Sequence, residues 1–469
     1  MTCRANGSER LAHGSSGLRR AALGLSAGLL ALSASPHSKA DSAWSVSAGL
    51  GETDNIRLTP TDKQSDTIGE VGGDIVWHEQ RRTFSADVTG DLTYLDYLHH
   101  YYSSEVAGNL LGNLQYTLVP QVLRWTLSDN FGQGVIDPLT AVTPSNREYI
   151  NYLSTGPDLT LPLNELNALL LDVRYSNIKY QKSPLSNNRY SANAGLRHQL
   201  SAGTAISFNV RDELIRFDNS QLNPDFDQQS AYLRFDASGL RTRLEVELGL
   251  DRLKQRTGTV SGALARLEAT RQLSPSASLV FTVGHEFSDA GEDFRTLQAL
   301  GGGAGPALAT QPVQPTADPF TNNYGTLEWN YHRNRTTFGL GGGYYKATYQ
   351  MSQSQGLNEN RLTVDAHASR HLTPTLEASL LAYFERDNFY SVLGNSNITT
   401  VTGLLTWRAS RMVSIVVEYD HARRESELRT TDYIDNRGWL KLRYGRSLDR
   451  PPGGVIPPPP LPNVQNQPR

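Results

Sequence analysis

Alternation of apolar and charged side chains along short stretches is the dominant pattern of this chain. Between Arg241 and Leu253 the sequence reads RTRLEVELGLDRL, with leucine and valine on one parity and arginine, glutamate and aspartate on the other. Successive side chains of a β-strand point to opposite faces, so this stretch predicts a strand with one apolar and one charged face. Read as a helix, the same residues would scatter around the axis.

The same pattern recurs along the chain and predicts 20 strands, the first at 42–56 and the last at 434–447. The links between them alternate in length. Links after even-numbered strands are short, such as Gln80-Arg81, whereas most links after odd-numbered strands are long, such as 133–146 and 289–320. This alternation is typical of an all-β fold, a transmembrane antiparallel up-and-down β-barrel with short periplasmic turns and longer surface loops. An even strand count then places both termini in the periplasm.

Residues 1–40 are predicted to be a cleaved signal peptide. Four arginines precede or flank the start of the apolar run Ala21–Leu32, and Ser38 and Ala40 lie at positions −3 and −1 of a cleavage site. The apolar run is too short to cross a bilayer. The only cysteine, Cys3, precedes this run, so the mature chain is expected to have no thiol chemistry. The predicted organisation is a signal peptide at 1–40, a barrel at 41–447 and a Pro-rich periplasmic tail at 448–469.

Composition agrees with a wide barrel and argues against some partners. Hydrophobic residues make up 38% of the 469 positions, which is low for one large soluble core. The net charge of −3 becomes more negative once the basic leader is removed, so nucleic acid is not an expected partner. No later stretch contains the roughly 18 consecutive apolar residues of a transmembrane helix. An exported chain of this kind can span a membrane only as a closed barrel, which predicts outer-membrane lipid as its surroundings.

The charged parity of the strands is predicted to line the lumen, because a basic side chain facing lipid at mid-bilayer costs about 2–4 kcal/mol. Both signs occur on this parity. The sequence therefore predicts a polar wall that conducts small solutes without a strong preference for one ion. The candidate pore-lining residues are Asp172, Arg174, Arg211, Glu213, Arg243, Glu245, Glu247, Arg266, Glu268, Asp365, His367, Glu418, Lys441 and Arg443.

Two segments differ from the rest. Residues 290–318 form the longest link and are rich in Gly, Ala and Pro; they could constrict or cap the barrel, or form a flexible surface loop, and the surface loop is the favoured alternative. Residues 448–469 contain PPGGVIPPPPLP, which favours a polyproline II conformation. This tail could bind a periplasmic partner or remain without one.

Several clusters could carry chemistry, yet each lacks partners that the chemistry needs. His99-His100 could bind a metal, but adjacent histidines on extended backbone point apart. His367 with Ser379 could serve a hydrolase, although both residue types are common on strands. Carboxylates such as Glu245 and Glu247 could act as a glycosidase pair, but they lie among arginines on one predicted lumen face. We therefore expect no catalytic site, cofactor or resident metal.

Sequence motifs near the predicted N-terminus of the barrel carry a family resemblance. Ser45–Arg57 reads SVSAGLGETDNIR, Ser65–Ile68 reads SDTI, and Asn146–Leu163 reads NREYINYLSTGPDLTLPL. These stretches resemble outer-membrane β-barrel proteins of the porin type that are associated with exosortase/PEP-CTERM exopolysaccharide systems. The resemblance implies a location in the outer membrane of a Gram-negative bacterium and a part in exporting or organising exopolysaccharide. It brings no catalytic residues with it.

Three functions compete on these grounds. The first is a non-enzymatic conduit or accessory of an exopolysaccharide system, with the polymer and periplasmic export components as partners. The second is a general diffusion porin for small polar solutes. The third is an outer-membrane barrel enzyme that acts on lipid or glycan.

Overall fold

A computed structural model describes residues 41–256, 258–299, 310–311, 316–350, 354–389 and 394–446. The predicted leader and the predicted tail lie outside these residues. The described chain forms one sheet of 21 strands, of which β14 is only two residues long. The strands are β1 Asp41–Thr53, β2 Asp66–Gln80, β3 Phe84–Tyr97, β4 Glu105–Val119, β5 Leu123–Val135, β6 Arg147–Pro162, β7 Asn167–Tyr180, β8 Asn187–Ser201, β9 Thr204–Phe217, β10 Phe226–Ser238, β11 Thr242–Gln255, β12 Gly258–Ser274, β13 Ala277–Ser288, β14 Thr310–Gln311, β15 Phe320–Arg333, β16 Thr336–Tyr349, β17 Glu359–His371, β18 Leu376–Phe389, β19 Asn395–Arg408, β20 Val413–Ser426 and β21 Tyr433–Arg446.

The sheet closes on itself. Each long strand pairs antiparallel with the next, and β1 pairs with β21 from Trp44 opposite Arg446 to Thr53 opposite Arg437. Closure satisfies the backbone hydrogen bonds that an open edge would leave exposed, as spanning a bilayer requires. The prediction of a closed 20-stranded antiparallel barrel is therefore confirmed. The periplasmic location of its termini remains a prediction.

The two faces of β11 show how the sequence distributes its side chains. Leu248 and Leu250 point outward and are 58% and 70% exposed, while Glu247 and Asp251 point inward and are buried. Gln228 and Ser230 of the neighbouring strand donate hydrogen bonds to the inward Asp251 carboxylate, at 2.7 and 3.1 Å. The outside of the barrel is thus apolar and its inside polar, as the alternation predicted.

The links divide the barrel ends into two rims. The short-turn rim carries tight connections such as Ser201 to Thr204, and the long-loop rim carries the longer connections, such as Val135 to Arg147. One connection at the long-loop rim is itself short, because β11 ends at Gln255 and β12 begins at Gly258. The first strand ends at Thr53 rather than at residue 56, because Asn55 and Ile56 turn inward and are buried.

Helix is scarce in the described part of the chain. The single α-helix there, α1 (Ala290–Ala299), follows β13, and three short 3-10 turns lie in links. No described helix is long and apolar enough to cross a membrane.

Candidate functional site: the lumen and its folded-in loops

The start of α1 is fixed by a side-chain cap. The Asp289 carboxylate accepts hydrogen bonds from the backbone N–H of Gly291 at 2.9 Å and of Glu292 at 3.4 Å. The sequence Asp289-Ala-Gly-Glu292 has the spacing of a capping box, and the acidic Glu292 and Asp293 lie in the first turn, where the helix dipole favours them. This short signal could have revealed the helix within a segment otherwise rich in Gly, Ala and Pro.

Helix α1 lies inside the barrel. Phe294 is fully buried in an apolar cluster contributed by β6, β7, β9, β10, β11 and β13. The preceding residue, Asp293, faces Tyr345 of β16 and Arg361 of β17. A 10-residue helix is only about 15 Å long. It can contact walls so far apart around the ring only from the concave side. The cluster consists of Ile150, Tyr152, Ile178, Tyr180, Leu185, Ile215, Phe217, Phe226, Leu253, Phe287, Ala290, Phe294 and Ala317.

Electrostatic contacts hold the N-terminal end of α1 to the wall. Arg189 of β8 forms an ion pair with Asp289 and lies 3.8 Å from a carboxylate oxygen of Glu213. Its guanidinium is 5.8 Å from the ring of Tyr152, and Arg295 of α1 is 5.9 Å from the same ring. The close approach of the α1 backbone to β7 requires glycine at position 291, because a Cβ there would lie 2.3 Å from Ile178 Cδ1.

A second described piece of this link, β14, pairs with a strand far from β13 around the ring. Strand β14 pairs in parallel with β5, with Thr310 opposite Gln133 and Gln311 opposite Gly134. The favoured interpretation of residues 290–318 as a flexible surface loop is therefore wrong for α1 and β14, because burying Phe294 and pairing β14 stabilise an inward position. The constricting alternative describes these residues correctly.

Two other long loops also turn inward. In the β1–β2 loop, the Asn55 side-chain amide donates to the carbonyls of Thr59 at 2.8 Å and Ile434 at 3.0 Å. The β5–β6 loop reaches β20, where Arg424 donates to the carbonyl of Leu139 at 3.1 Å and also to that of Thr140. Three loops from one rim thus fold over the lumen. Helix α1 and the β5–β6 loop are held by strands far from their own, whereas the β1–β2 loop is held by β21, the strand next to β1.

Below these loops the wall carries a chain of ion pairs. Arg234 lies 2.6 Å from Glu245 and 3.2 Å from Glu247, and Arg266 lies 3.0 Å from Glu247 and also pairs with Glu286. Adjacent strands place these charges side by side, since Glu247 is opposite Arg234 on one side and Arg266 on the other. The wall is polar, but its charges largely compensate one another.

Other predicted lining residues join separate polar groups on the inward face. Lys441 lies 3.2 Å from both Glu418 and Glu70, and Arg211 pairs with Glu213 at 2.5 Å. Asp172 accepts from Asn193 at 2.9 Å, and Arg174 pairs with Asp158. The structure therefore brings the predicted residues together in several clusters and not in one site. The rest lie on the same inward parity of their strands without joining these clusters: Arg243, Glu268, Asp365, His367 and Arg443. Their role in lining a pore remains a prediction.

Partners that sequence reasoning missed explain much of this pairing. Arg189, Glu286 and Asp289 were not among the predicted lining residues, yet each forms an ion pair in the lumen. Their inward parity was readable from the sequence. Which arginine meets which carboxylate depends on strand register, which the sequence did not provide.

The candidate catalytic and metal residues do not assemble. His99 Nδ1 lies 2.7 Å from Asp66, but the described residues contain no group of three His, Cys, Asp or Glu placed to hold a metal ion. His367 is opposite Leu381 and Ser379 is opposite Ser369, and no described hydrogen bond joins this histidine to this serine. Glu245 and Glu247 share Arg234, so they belong to the ion-paired wall.

The chain resembles known proteins at two levels. Residues 318–446 match the family model described as "Putative beta-barrel porin 2". No curated protein matches the sequence. The match spans β15 to β21 and, with the closed apolar-sided barrel, supports an outer-membrane β-barrel.

Solved structures with a similar fold are remote in sequence. The ferric enterobactin receptor PfeA from Pseudomonas aeruginosa is 10% identical over 86% of this chain and 80% of its own, with a TM-score of 0.44. The siderophore receptor PirA from the same organism is 11% identical over 88% and 81%, with a TM-score of 0.41. The FrpB iron transporter from Neisseria meningitidis is 11% identical over 86% and 82%, with a TM-score of 0.40.

Proposed function

We propose that this chain is a non-enzymatic outer-membrane conduit, or an accessory to one, in an exopolysaccharide export system. The observation that supports it best is a polar lumen wall of mutually compensated ion pairs beneath three folded-in loops. A neutral or weakly charged polymer needs hydrogen-bond donors and acceptors along its path but gains nothing from a strong field of one sign. The folded loops suit a path that is closed when no polymer passes.

The motifs SVSAGLGETDNIR and SDTI support the link to exopolysaccharide, because they resemble barrels of such systems. The polymer and periplasmic export components are the proposed partners. The C-terminal segment at 448–469 is the proposed contact for such a component.

Deleting the gene tests this proposal directly. We expect polymer to accumulate in the periplasm and surface polysaccharide to fall, and expression of the native chain to restore both. Unchanged surface polysaccharide in the deletion strain would contradict the proposal. Complementation with the Leu248→Arg variant, which should assemble poorly, controls for effects of overexpression.

A general diffusion porin is the second candidate, and the match to a porin family over residues 318–446 favours it. Single-channel recording in a planar bilayer separates the two. A large, steady and unselective conductance favours the porin, whereas a pore that is closed most of the time favours the gated conduit.

A further inference from the structure

Asp293 on α1 is an acidic residue of the lumen whose carboxylate is buried without a hydrogen-bond partner among the described residues. Its side chain is 1% exposed, and neither carboxylate oxygen has a hydrogen-bond partner among the described residues. The nearby Tyr345 hydroxyl is also unpaired there. An isolated carboxylate in such a place is expensive to ionise, because burial removes its hydration without replacing it.

The charges around Asp293 do not compensate it. Arg361, the guanidinium that faces it, already pairs with Glu359, bonds Asp387 at 2.8 Å and lies 4.0 Å from Glu385. One cation is thus shared by three carboxylates before Asp293 is counted. The titratable and charged groups facing Asp293 are Arg361 and Glu359 on β17, Tyr345 and Tyr349 on β16, Tyr180 on β7, and Asp289 at the start of α1.

The position of Asp293 on α1 links its ionisation to the position of the helix. The adjacent Phe294 anchors α1 in the apolar cluster, so both side chains are buried only while α1 lies against the wall. Moving α1 into the water of the lumen would hydrate the carboxylate. We propose that α1 is a gate of the lumen, seated against the wall while Asp293 is protonated and released when Asp293 ionises. This inference rests on the proposed function as a conduit.

The direction of the pH dependence follows from linkage. Burial, opposed in part by the charge of Arg361, raises the pKa of Asp293 from 3.8 to about 8 in the seated helix. A released helix exposes this group, whose pKa returns to near its ordinary value. The seated state therefore binds the proton more tightly, and the seating equilibrium weakens about tenfold for each pH unit between about 4 and about 8. The gate is seated at low pH and opens as the pH rises.

The neighbouring carboxylate on the same helix turn provides a matched control. Burial alone would raise the pKa of Glu292. The Arg295 guanidinium, helped by Arg189 and Arg211, instead holds this pKa well below its usual range. The Glu292 carboxylate accepts a hydrogen bond from Arg295 Nε at 3.1 Å and stays ionised throughout the relevant pH range. Its replacement should leave the pH dependence of gating intact.

Spin-label distances test the movement without requiring the pore to conduct. In the full chain with Cys3→Ser, labels at Thr296→Cys on α1 and Leu222→Cys in the β9–β10 loop report the position of the helix by pulsed electron resonance. We expect one short distance at pH 5.5 and a second, longer distance that grows toward pH 9. Asp293→Asn should keep the short distance at both pH values, while Glu292→Gln should behave like the native chain.

A second variant guards against misfolding of Asp293→Asn. Phe294→Ala removes the apolar anchor and should show the longer distance already at pH 5.5. Distances that do not change with pH in the native background, or that still change in Asp293→Asn, would overturn the gate.

Planar-bilayer recordings of the same chains complete the test. Open probability should rise with pH in the native chain and in Glu292→Gln, and stay low in Asp293→Asn. A helix that moves without changing conductance would also overturn the gate. A deletion strain with normal polymer export, by contrast, would count against the proposed function and not against the movement of α1.

Discussion

Replacing Arg266 by Met should destabilise the barrel through the carboxylates it leaves behind. Arg266 lies between Glu247, at 3.0 Å, and Glu286, which accepts from its Nε at 2.7 Å. These carboxylates are only 5% and 6% exposed. Breaking a buried ion pair by removing one partner costs about 3–5 kcal/mol. Arg234 still compensates Glu247, so the expected loss is near the lower end, about 3 kcal/mol.

The assay is urea unfolding of the barrel refolded in detergent or liposomes, followed by Trp fluorescence and by heat-modifiable gel mobility. Adding Glu286→Gln to Arg266→Met should recover about half of the loss, because it removes one uncompensated charge. Arg243→Met on β11 is the matched control, since Arg243 is exposed near the short-turn rim and its loss should change stability by less than about 0.5 kcal/mol. An Arg266→Met barrel as stable as the Arg243→Met barrel would refute the argument that the wall depends on compensated charges.

Three further outcomes follow from the same structure. Leu248→Arg places a cation on the lipid side and should lower the free energy of unfolding by about 2–4 kcal/mol in the same assay. Leu248→Ala should lower it by less, and equal losses would contradict the assigned faces. Phe294→Ala leaves a cavity at a fully buried site and should weaken the binding of α1 to the wall by about 3–5 kcal/mol. We expect faster protease cleavage near α1 in an otherwise intact barrel, and an unchanged cleavage rate would argue against Phe294 as the anchor. Gly108 has φ +134°, and a Cβ there would lie 2.0 Å from the Asp91 carbonyl oxygen. Gly108→Ala should therefore slow refolding and lower the urea midpoint. Gly403→Ala should have little effect, because nothing lies within 4 Å of a Cβ at that position.

The sequence by itself determined the barrel and the faces of its strands. The alternation in RTRLEVELGLDRL needs no long-range information, because a strand points its side chains to opposite sides whatever its neighbours are. Link lengths added the order of the strands around the ring. These local signals were enough to predict 20 strands and to assign Leu248 outward and Glu247 inward.

Tertiary structure alone decided what fills the lumen. The capping-box spacing at Asp289 marks a helix start. Nothing local says that Phe294 will be buried in the same apolar cluster as Ile178, from a strand more than a hundred residues earlier in the chain. The pairing of Arg189 with Asp289 and the isolation of Asp293 depend on the same inward fold. Such contacts are set by barrel closure and strand register, which bring distant segments together; a local pattern therefore predicts the wall but not the helix that lies against it.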